Sequence, residues 1–221
     1  MRAIKPYFEW VGGKAPNGDA IISRIAEMGR IAYQAEPGRK PDADFVRHLI
    51  ARGHESVLEH AIIGVKITCD RGVTHEHVRH RIAAYTQEST RYCNYSKDKF
   101  ENTVTYIDLS GGIELCPVTS KLPPETIRAI MAEWWDACRD AEKHYFRMLE
   151  LGASPQIARS VLNNSTKTQL GVTFNVREWR HFFRLRTALD AHPQMREVAN
   201  ALLEWFKEHI PVLFDDLEAV V

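Results

Sequence analysis

The order of apolar and polar positions along the chain predicts helices interleaved with a few strands. Runs rich in β-branched and aromatic residues predict strands at 7–11, 62–68, 103–107 and 168–174. Apolar residues spaced three and four apart predict helices at 21–33, 42–52, 123–151, 155–162, 176–186 and 193–209. No linker is long enough to separate two domains, so this order predicts one α+β or α/β domain over residues 1–221.

Polar residues at the ends of these segments predict where two of the helices begin. Asp42 or Asp44 is expected to cap the helix that stops at Gly53, and Asn175 is expected to cap the helix at 176–186. Within that last helix, Trp179 and Phe182 are expected to pack in the core.

Composition excludes several classes of partner. Lys plus Arg and Asp plus Glu number 29 each, so no overall field draws the protein to nucleic acid or to an anionic membrane. No apolar run approaches the ~20 residues that cross a bilayer. The four cysteines form no Cys-x-x-Cys pair and no signal sequence precedes them, which predicts free thiols in a cytoplasmic protein.

One segment concentrates anion-binding side chains. His77-Val78-Arg79-His80-Arg81 follows the strand at 62–68, and Ser89-Thr90-Arg91 comes soon afterwards. Guanidinium groups bind phosphate oxygens through a planar fork of donors, and hydroxyl and backbone N–H groups add further donors. On a helix starting near Thr74, Arg79 and Arg81 would point in different directions rather than form one surface stripe. The segment therefore predicts a site for phosphorylated ligands.

The spacing of these residues resembles a family motif. Arg79-His80-Arg81, then Ser89 and Arg91, resembles the motif of the flavin-dependent thymidylate synthases. His54-Glu55-Ser56-Val57-Leu58-Glu59-His60 resembles the upstream His-rich segment of that family, and Asn175-Val176-Arg177 through Arg186 resembles its downstream segment. The resemblance spans roughly residues 42–217.

The resemblance implies a fold and a reaction. It implies a central, mostly antiparallel sheet flanked by long helices, in a homotetramer whose sites are shared between subunits. The implied reaction is the reductive methylation of deoxyuridine monophosphate (dUMP) to thymidylate. In it, 5,10-methylenetetrahydrofolate supplies the carbon, and FAD reduced by NADPH or NADH supplies the hydride.

The resemblance also implies which residues bind the cofactor. The flavin contacts are expected to be Ser56 from a neighbouring subunit, Arg79, His80, Arg81, Gln87, Asn175, Arg177 and His181. His54 and His192 are expected near the flavin ring or the folate.

The implied substrate contacts overlap with these. They are Glu76, Arg79, Gln87, Glu88, Ser89, Thr90, Arg91, Arg159 and Arg186. Ser89, Arg91 and Arg159 are expected on the phosphate; Ser89 could instead be a nucleophile, but no Ser/His/Asp order supplies it with a base. Arg186 is the expected catalytic residue, because a fixed cation at the uracil edge stabilises negative charge developing on the ring. The chain departs from the usual family form at Ala84, Thr86 and Gln87.

Two alternatives come from other classes. His75-Glu76-His77 and His80, with His54 and His60, have the residue types of a metal site and would suit a metal-dependent nucleotide hydrolase. Their spacing matches no helical metal motif, and the adjacent arginines would repel a cation, so no metal is predicted. A nucleic-acid-binding module would use the arginines on a phosphate backbone, which the balanced charge disfavours.

Overall fold

The computed structural model describes residues 1–34, 36, 38 and 40–218. The strands are β1 Arg2–Ile4, β2 Tyr7–Trp10, β3 Ile62–Asp70, β4 Ala83–Gln87, β5 Thr105–Ile107 and β6 Lys167–Asn175. The helices are α1 Gly18–Tyr33, α2 Asp42–Ala51, α3 Arg71–His77, α4 Ser110–Leu115, α5 Pro124–Glu150, α6 Pro155–Ala158, α7 Val176–Arg186, α8 Pro193–His209 and α9 Pro211–Phe214. Short 3-10 turns lie at Val11–Gly13, Glu55–His60, Asp98–Phe100, Thr119–Lys121 and Arg159–Val161.

The strands form a four-stranded antiparallel sheet and a small parallel pair. The larger sheet has the order β2-β3-β6-β4, and β1 pairs with β5 in parallel. Along β6 every second residue is buried, from Thr168 to Phe174, while the residues between them are partly exposed. The period of two means that one face of the sheet supplies the core. The predicted α+β class with a central antiparallel sheet is confirmed.

The core lies between this sheet face and the helices α1, α2, α7, α8 and α9. Trp179 and Phe182 of α7 are fully buried there, as predicted, and the Trp179 indole donates to the Ile63 carbonyl of β3 at 3.1 Å. A second, smaller cluster joins β5 to α5 and α6 through Tyr106 and Tyr145. Helix α7 is therefore fixed against the sheet, and its last residue, Arg186, is held in place by it.

Most predicted elements are confirmed within a few residues, but three details are wrong. The helix expected to start near Thr74 starts at Arg71 and ends at His77, so Arg79 and Arg81 lie on the turn that follows it. Asp42 and Asp44 lie inside the first turn of α2 and neither caps it. Arg159 begins a 3-10 turn after α6 rather than sitting in the middle of a helix.

Other predictions concern caps and cysteines. The Asn175 side chain accepts from the backbone N–H of Glu178 at 2.8 Å, so the predicted cap of α7 is confirmed. Cys69, Cys93, Cys116 and Cys138 are all free thiols. Across the described ranges, no helix combines the length and apolar character needed to cross a membrane.

Candidate active site

The turn between α3 and β4 is fixed by buried contacts on both sides. The His77 ring stacks on Phe182, with centroids 4.9 Å apart, and is completely buried. The Tyr85 hydroxyl of β4 lies 2.5 Å from the His77 carbonyl oxygen and 2.9 Å from the His80 carbonyl oxygen. These contacts end the helix at His77 and turn the backbone so that His80 points inward while its neighbours stay exposed.

His80 contacts the two ends of α7 through its two ring nitrogens. Nδ1 lies 2.7 Å from Glu178 Oε1, and Nε2 accepts from Arg186 Nε at 3.1 Å. Because the guanidinium can only donate, Nε2 carries no proton, and Nδ1–H donates to the carboxylate. Burial lowers the pKa of His80; the Glu178 hydrogen bond opposes this shift, whereas the charge of Arg186 adds to it. A neutral imidazole therefore orients Arg186.

Arg186 is held by three hydrogen bonds. Besides the bond to His80, Nη1 donates to Glu76 Oε2 at 2.7 Å and Nη2 donates to the Glu76 carbonyl oxygen at 3.0 Å. The side chain is 14% exposed. A guanidinium has five N–H donors, so two remain for a ligand. We call Glu76, His80, Glu178 and Arg186 the turn cluster.

Arg79 and Arg81 lie on the outer side of the same turn. Both are exposed, and Arg79 Nη2 lies 3.6 Å from Glu76 Oε1, so Glu76 stands between Arg79 and Arg186. The Arg81 side chain forms no hydrogen bond or ion pair with any described residue. Free guanidinium donors on an exposed turn fit the diphosphate of a dinucleotide, as the sequence predicts for FAD.

The end of β4 presents two polar side chains that are already paired. Gln87 Nε2 donates to Thr74 Oγ1 at 3.1 Å and lies 3.4 Å from Thr168 Oγ1. Glu88 Oε2 pairs with Lys167 Nζ at 2.6 Å. Gln87 therefore links β4 to α3 and β6, and the negative charge of Glu88 is compensated locally.

The segment after β4 leads into a cavity of about 420 Å³. It is lined by Arg71, Thr90, Gln156, Arg159, Ser160 and Leu162. Thr90 is buried, and its hydroxyl accepts from Arg159 Nη1 at 3.1 Å. We call Arg71, Thr90 and Arg159 the cavity cluster.

The other two residues of the predicted phosphate loop do not line this cavity. The Ser89 hydroxyl accepts from the Arg91 backbone N–H at 3.3 Å. Arg91 is exposed and its guanidinium lies over the Tyr92 ring, 5.2 Å from the centroid. Within one chain, then, the structure brings Thr90 and Arg159 together and leaves Arg91 outside.

The remaining predicted cofactor residues lie on α7 or near it. Asn175 caps α7, Arg177 Nη1 pairs with Glu59 Oε1 at 2.5 Å, and the exposed His181 ring lies 5.6 Å from the His80 ring. Ser56 is exposed on the 3-10 turn Glu55–His60.

His54 and His192 both precede a helical segment. His54 directly precedes the turn that carries Ser56, and His192 directly precedes α8. The Nδ1 atom of His192 is buried without a hydrogen-bond partner among the described residues.

The histidines proposed for a metal site do not come together. The one group of metal-ligand type in the described part of the chain is His80, Glu178 and His181. Of these, only His80 belongs to the cluster considered from the sequence, and its Nε2 already accepts from a guanidinium. Burial also lowers the pKa of His77 to about 3, and Phe182 covers its ring. Nothing in this geometry supports the metal-dependent hydrolase.

The structure adds two residues to the candidate site that the sequence alone does not predict. The first of them is Glu178. The Asn175 cap, three residues earlier, indicates that Glu178 lies in the first turn of α7. Arg71 lies at the junction of β3 and α3, where an arginine in the sequence resembles an ordinary surface charge. Asp70 was the available signal, because its side chain caps α3 through the Val73 N–H at 2.7 Å.

Comparison with known proteins gives a consistent result. Residues 18–212 match the family described as thymidylate synthase complementing protein. A flavin-dependent thymidylate synthase from Thermococcus kodakarensis is 36% identical over 171 residues, covering 76% of this chain and 64% of the relative. Proteins of the same description from Mycolicibacterium vanbaalenii and Pyrococcus furiosus are each 35% identical, covering 93% and 84% of this chain and 82% and 70% of the relatives. The chain thus spans just under two thirds of the Thermococcus relative and more of the other two.

Proposed function

The chain belongs to the flavin-dependent thymidylate synthase family, and on this premise we propose that it converts dUMP to thymidylate by reductive methylation. The observation that carries the proposal is the Arg186 guanidinium, which is fixed by Glu76 and His80 and keeps two donors for a ligand. A fixed cation at the uracil edge stabilises the negative charge that develops as N3 loses its proton or C5 becomes nucleophilic.

Preorganisation is the contribution of the turn cluster. Arg186 cannot rotate away without breaking three hydrogen bonds, and its orientation requires the neutral His80 held by Glu178. A cation that already faces the developing charge needs no reorganisation during the reaction. Such preorganised electrostatic stabilisation is usually the largest contribution to the lowering of the barrier. Arginine stays protonated at neutral pH, so Arg186 acts as a cation and not as a base.

The cofactor we propose is FAD. Arg79, Arg81, Arg177 and His181 lie on exposed surface beside the turn cluster and would hold it, together with Ser56 from another subunit. When bound, the reduced flavin supplies the hydride that completes the methyl group. NADPH or NADH is proposed as its reductant and 5,10-methylenetetrahydrofolate as the carbon donor.

We further propose that the active enzyme is a homotetramer with sites built from more than one chain. His80 of the turn cluster precedes β4 and Thr90 of the cavity cluster follows it, and the five residues of β4 span about 13 Å at ~3.3 Å per residue. A complete site needs both a phosphate pocket and the uracil-facing Arg186, and pairing the cavity cluster of one chain with the Arg186 of another can supply both. Helix α5 also leaves apolar surface uncovered, with Trp135 38% exposed.

The test is thymidylate formation by the purified chain. With FAD, NADPH, 5,10-methylenetetrahydrofolate and dUMP, we expect thymidylate by mass spectrometry, and none when the folate is omitted. A chelator should leave the rate unchanged. A flavin-loaded protein that forms no thymidylate, or that instead releases deoxyuridine and phosphate from dUMP, would refute the proposal.

A further inference from the structure

Arg71 is held against the segment that carries Arg159. Its backbone N–H donates to the Asn164 carbonyl oxygen at 2.9 Å, and the Gly72 N–H reaches the same oxygen at 3.4 Å. Asn164 follows the 3-10 turn Arg159–Val161 by three residues. This backbone contact brings the first residue of α3 to the cavity that Arg159 and Thr90 also line.

The Arg71 guanidinium has an unsatisfied buried atom. Its Nη1 is fully buried and has no hydrogen-bond partner among the described residues. A buried polar atom left without a partner costs about 1–3 kcal/mol, more for a charged group, so such atoms are rare unless something else satisfies them. The guanidinium also forms no ion pair with any described residue, so its charge is left for a ligand in the cavity to compensate.

Charge around the cavity is uncompensated. The lining contains two guanidinium groups and no carboxylate. The two acidic residues that neighbour the cluster in sequence are engaged elsewhere. Asp70 accepts from the Val73 N–H at 2.7 Å and from Gln194 at 2.6 Å, while Glu88 pairs with Lys167. Two cations in a partly enclosed space without a counter-charge form a site for an anion.

We propose that Arg71 is a further ligand of the substrate's phosphate, acting with Arg159 and the Thr90 hydroxyl on one phosphate monoester. This inference rests on the proposed function, because it assigns the phosphate of dUMP to this cavity. Two arginine forks and a hydroxyl supply the number and kind of donors that a phosphate dianion accepts. Thr90 belongs to the loop whose sequence predicted phosphate binding, which links Arg71 to that loop.

The experiment compares two ligands that differ only in the phosphate. Titration calorimetry on the full-length, flavin-loaded protein gives the affinities for dUMP and for deoxyuridine. For Arg71→Gln we expect dUMP to bind about 10- to 100-fold more weakly, the loss typical of one charge-assisted hydrogen bond, and deoxyuridine affinity to stay unchanged. Arg128→Gln, an exposed arginine of α5, is the charge-matched control and should bind both ligands like the wild type.

Each other result is decisive. If Arg71→Gln binds dUMP as tightly as the wild type, or loses affinity for both ligands equally, Arg71 is not a phosphate ligand although the proposed function stands. If wild-type protein does not bind dUMP at all, the proposed function fails and this inference with it. Should Arg71→Gln fail to fold, Arg71→Lys makes the same comparison, because an ammonium does not replace the planar fork. A loss confined to dUMP supports the proposal, and unchanged dUMP affinity overturns it.

Discussion

The turn cluster and the cavity cluster use arginine in opposite ways. In the turn cluster, the carboxylate and backbone carbonyl of Glu76 and the neutral His80 hold Arg186 by three hydrogen bonds. In the cavity cluster, Arg71 and Arg159 face one cavity that no carboxylate lines. A compensated, immobile arginine suits the stabilisation of charge that appears only during a reaction, whereas uncompensated arginines suit the binding of a charge that the ligand already carries. The difference predicts that substitutions in the turn cluster lower turnover, whereas substitutions in the cavity cluster lower the affinity for dUMP.

The largest expected effect is on turnover. Arg186→Ala should lower kcat by about 100- to 1,000-fold, the range seen when a preorganised electrostatic donor is removed. The fold and flavin binding should persist, since α7 is fixed in the core by Trp179 and Phe182. Steady-state kinetics with a flavin absorbance spectrum of the same sample measure both. If Arg186→Ala turns over like the wild type, Arg186 does not stabilise the transition state.

The next effect is on affinity. Arg159→Ala should weaken dUMP binding by about 10- to 100-fold and leave deoxyuridine binding unchanged, because the guanidinium contributes a charge-assisted bond to the phosphate. Under saturating dUMP, turnover should approach that of the wild type. If Arg159→Ala instead lowers kcat and leaves the dUMP affinity unchanged, the two clusters do not differ in function as proposed.

A third change tests how the turn cluster is assembled. Glu178→Ala leaves the buried Nδ1–H of His80 without its acceptor, so the free energy of unfolding should fall by about 1–3 kcal/mol. Urea unfolding measures this change, and Glu133→Ala, on the exposed side of α5, is the control. Equal unfolding curves for Glu178→Ala and the wild type would mean that this carboxylate does not hold His80.

The fourth prediction is a pH dependence of stability that arises in the turn cluster's neighbour His77 and has no counterpart in the cavity cluster. Because burial lowers the pKa of His77 from 6.5 to about 3, the unfolded chain binds this proton more readily than the folded chain between those values. The contribution of His77 to stability is therefore full above pH 6.5 and is lost as pH falls, with a slope of up to ~1.4 kcal/mol per pH unit. His77→Phe keeps a ring stacked on Phe182 and removes the titrating group. The free energy of unfolding of this variant should therefore depend less on pH, by that slope. Parallel stability curves for variant and wild type would contradict this assignment.

Local sequence patterns predicted the scaffold better than the site. Strands β3 and β6 and helices α5, α7 and α8 follow from apolar periodicity and from the Asn175 cap, which are properties of short segments. The end of α3 at His77 was missed because it depends on Phe182 and Tyr85, which come from other parts of the chain.

The same reason explains how the candidate site residues could be predicted. Arg186 and Arg159 were predicted through a resemblance, since their partners Glu76, His80 and Thr90 are distant in sequence. The Asp70 cap marks the start of α3, but it does not separate Arg71 from a surface arginine. The proposed role of Arg71 rests on a backbone contact with Asn164 and on a cavity formed by segments that meet only in the folded chain.

The most direct test of the proposed activity is a single anaerobic turnover. The purified, flavin-loaded protein is reduced with NADPH and then mixed with dUMP and 5,10-methylenetetrahydrofolate, while flavin absorbance and thymidylate are followed together. We predict that the flavin reoxidises and that about one thymidylate forms for each flavin, because each methyl group requires one hydride. Flavin that stays reduced, or that reoxidises without thymidylate, would contradict the account.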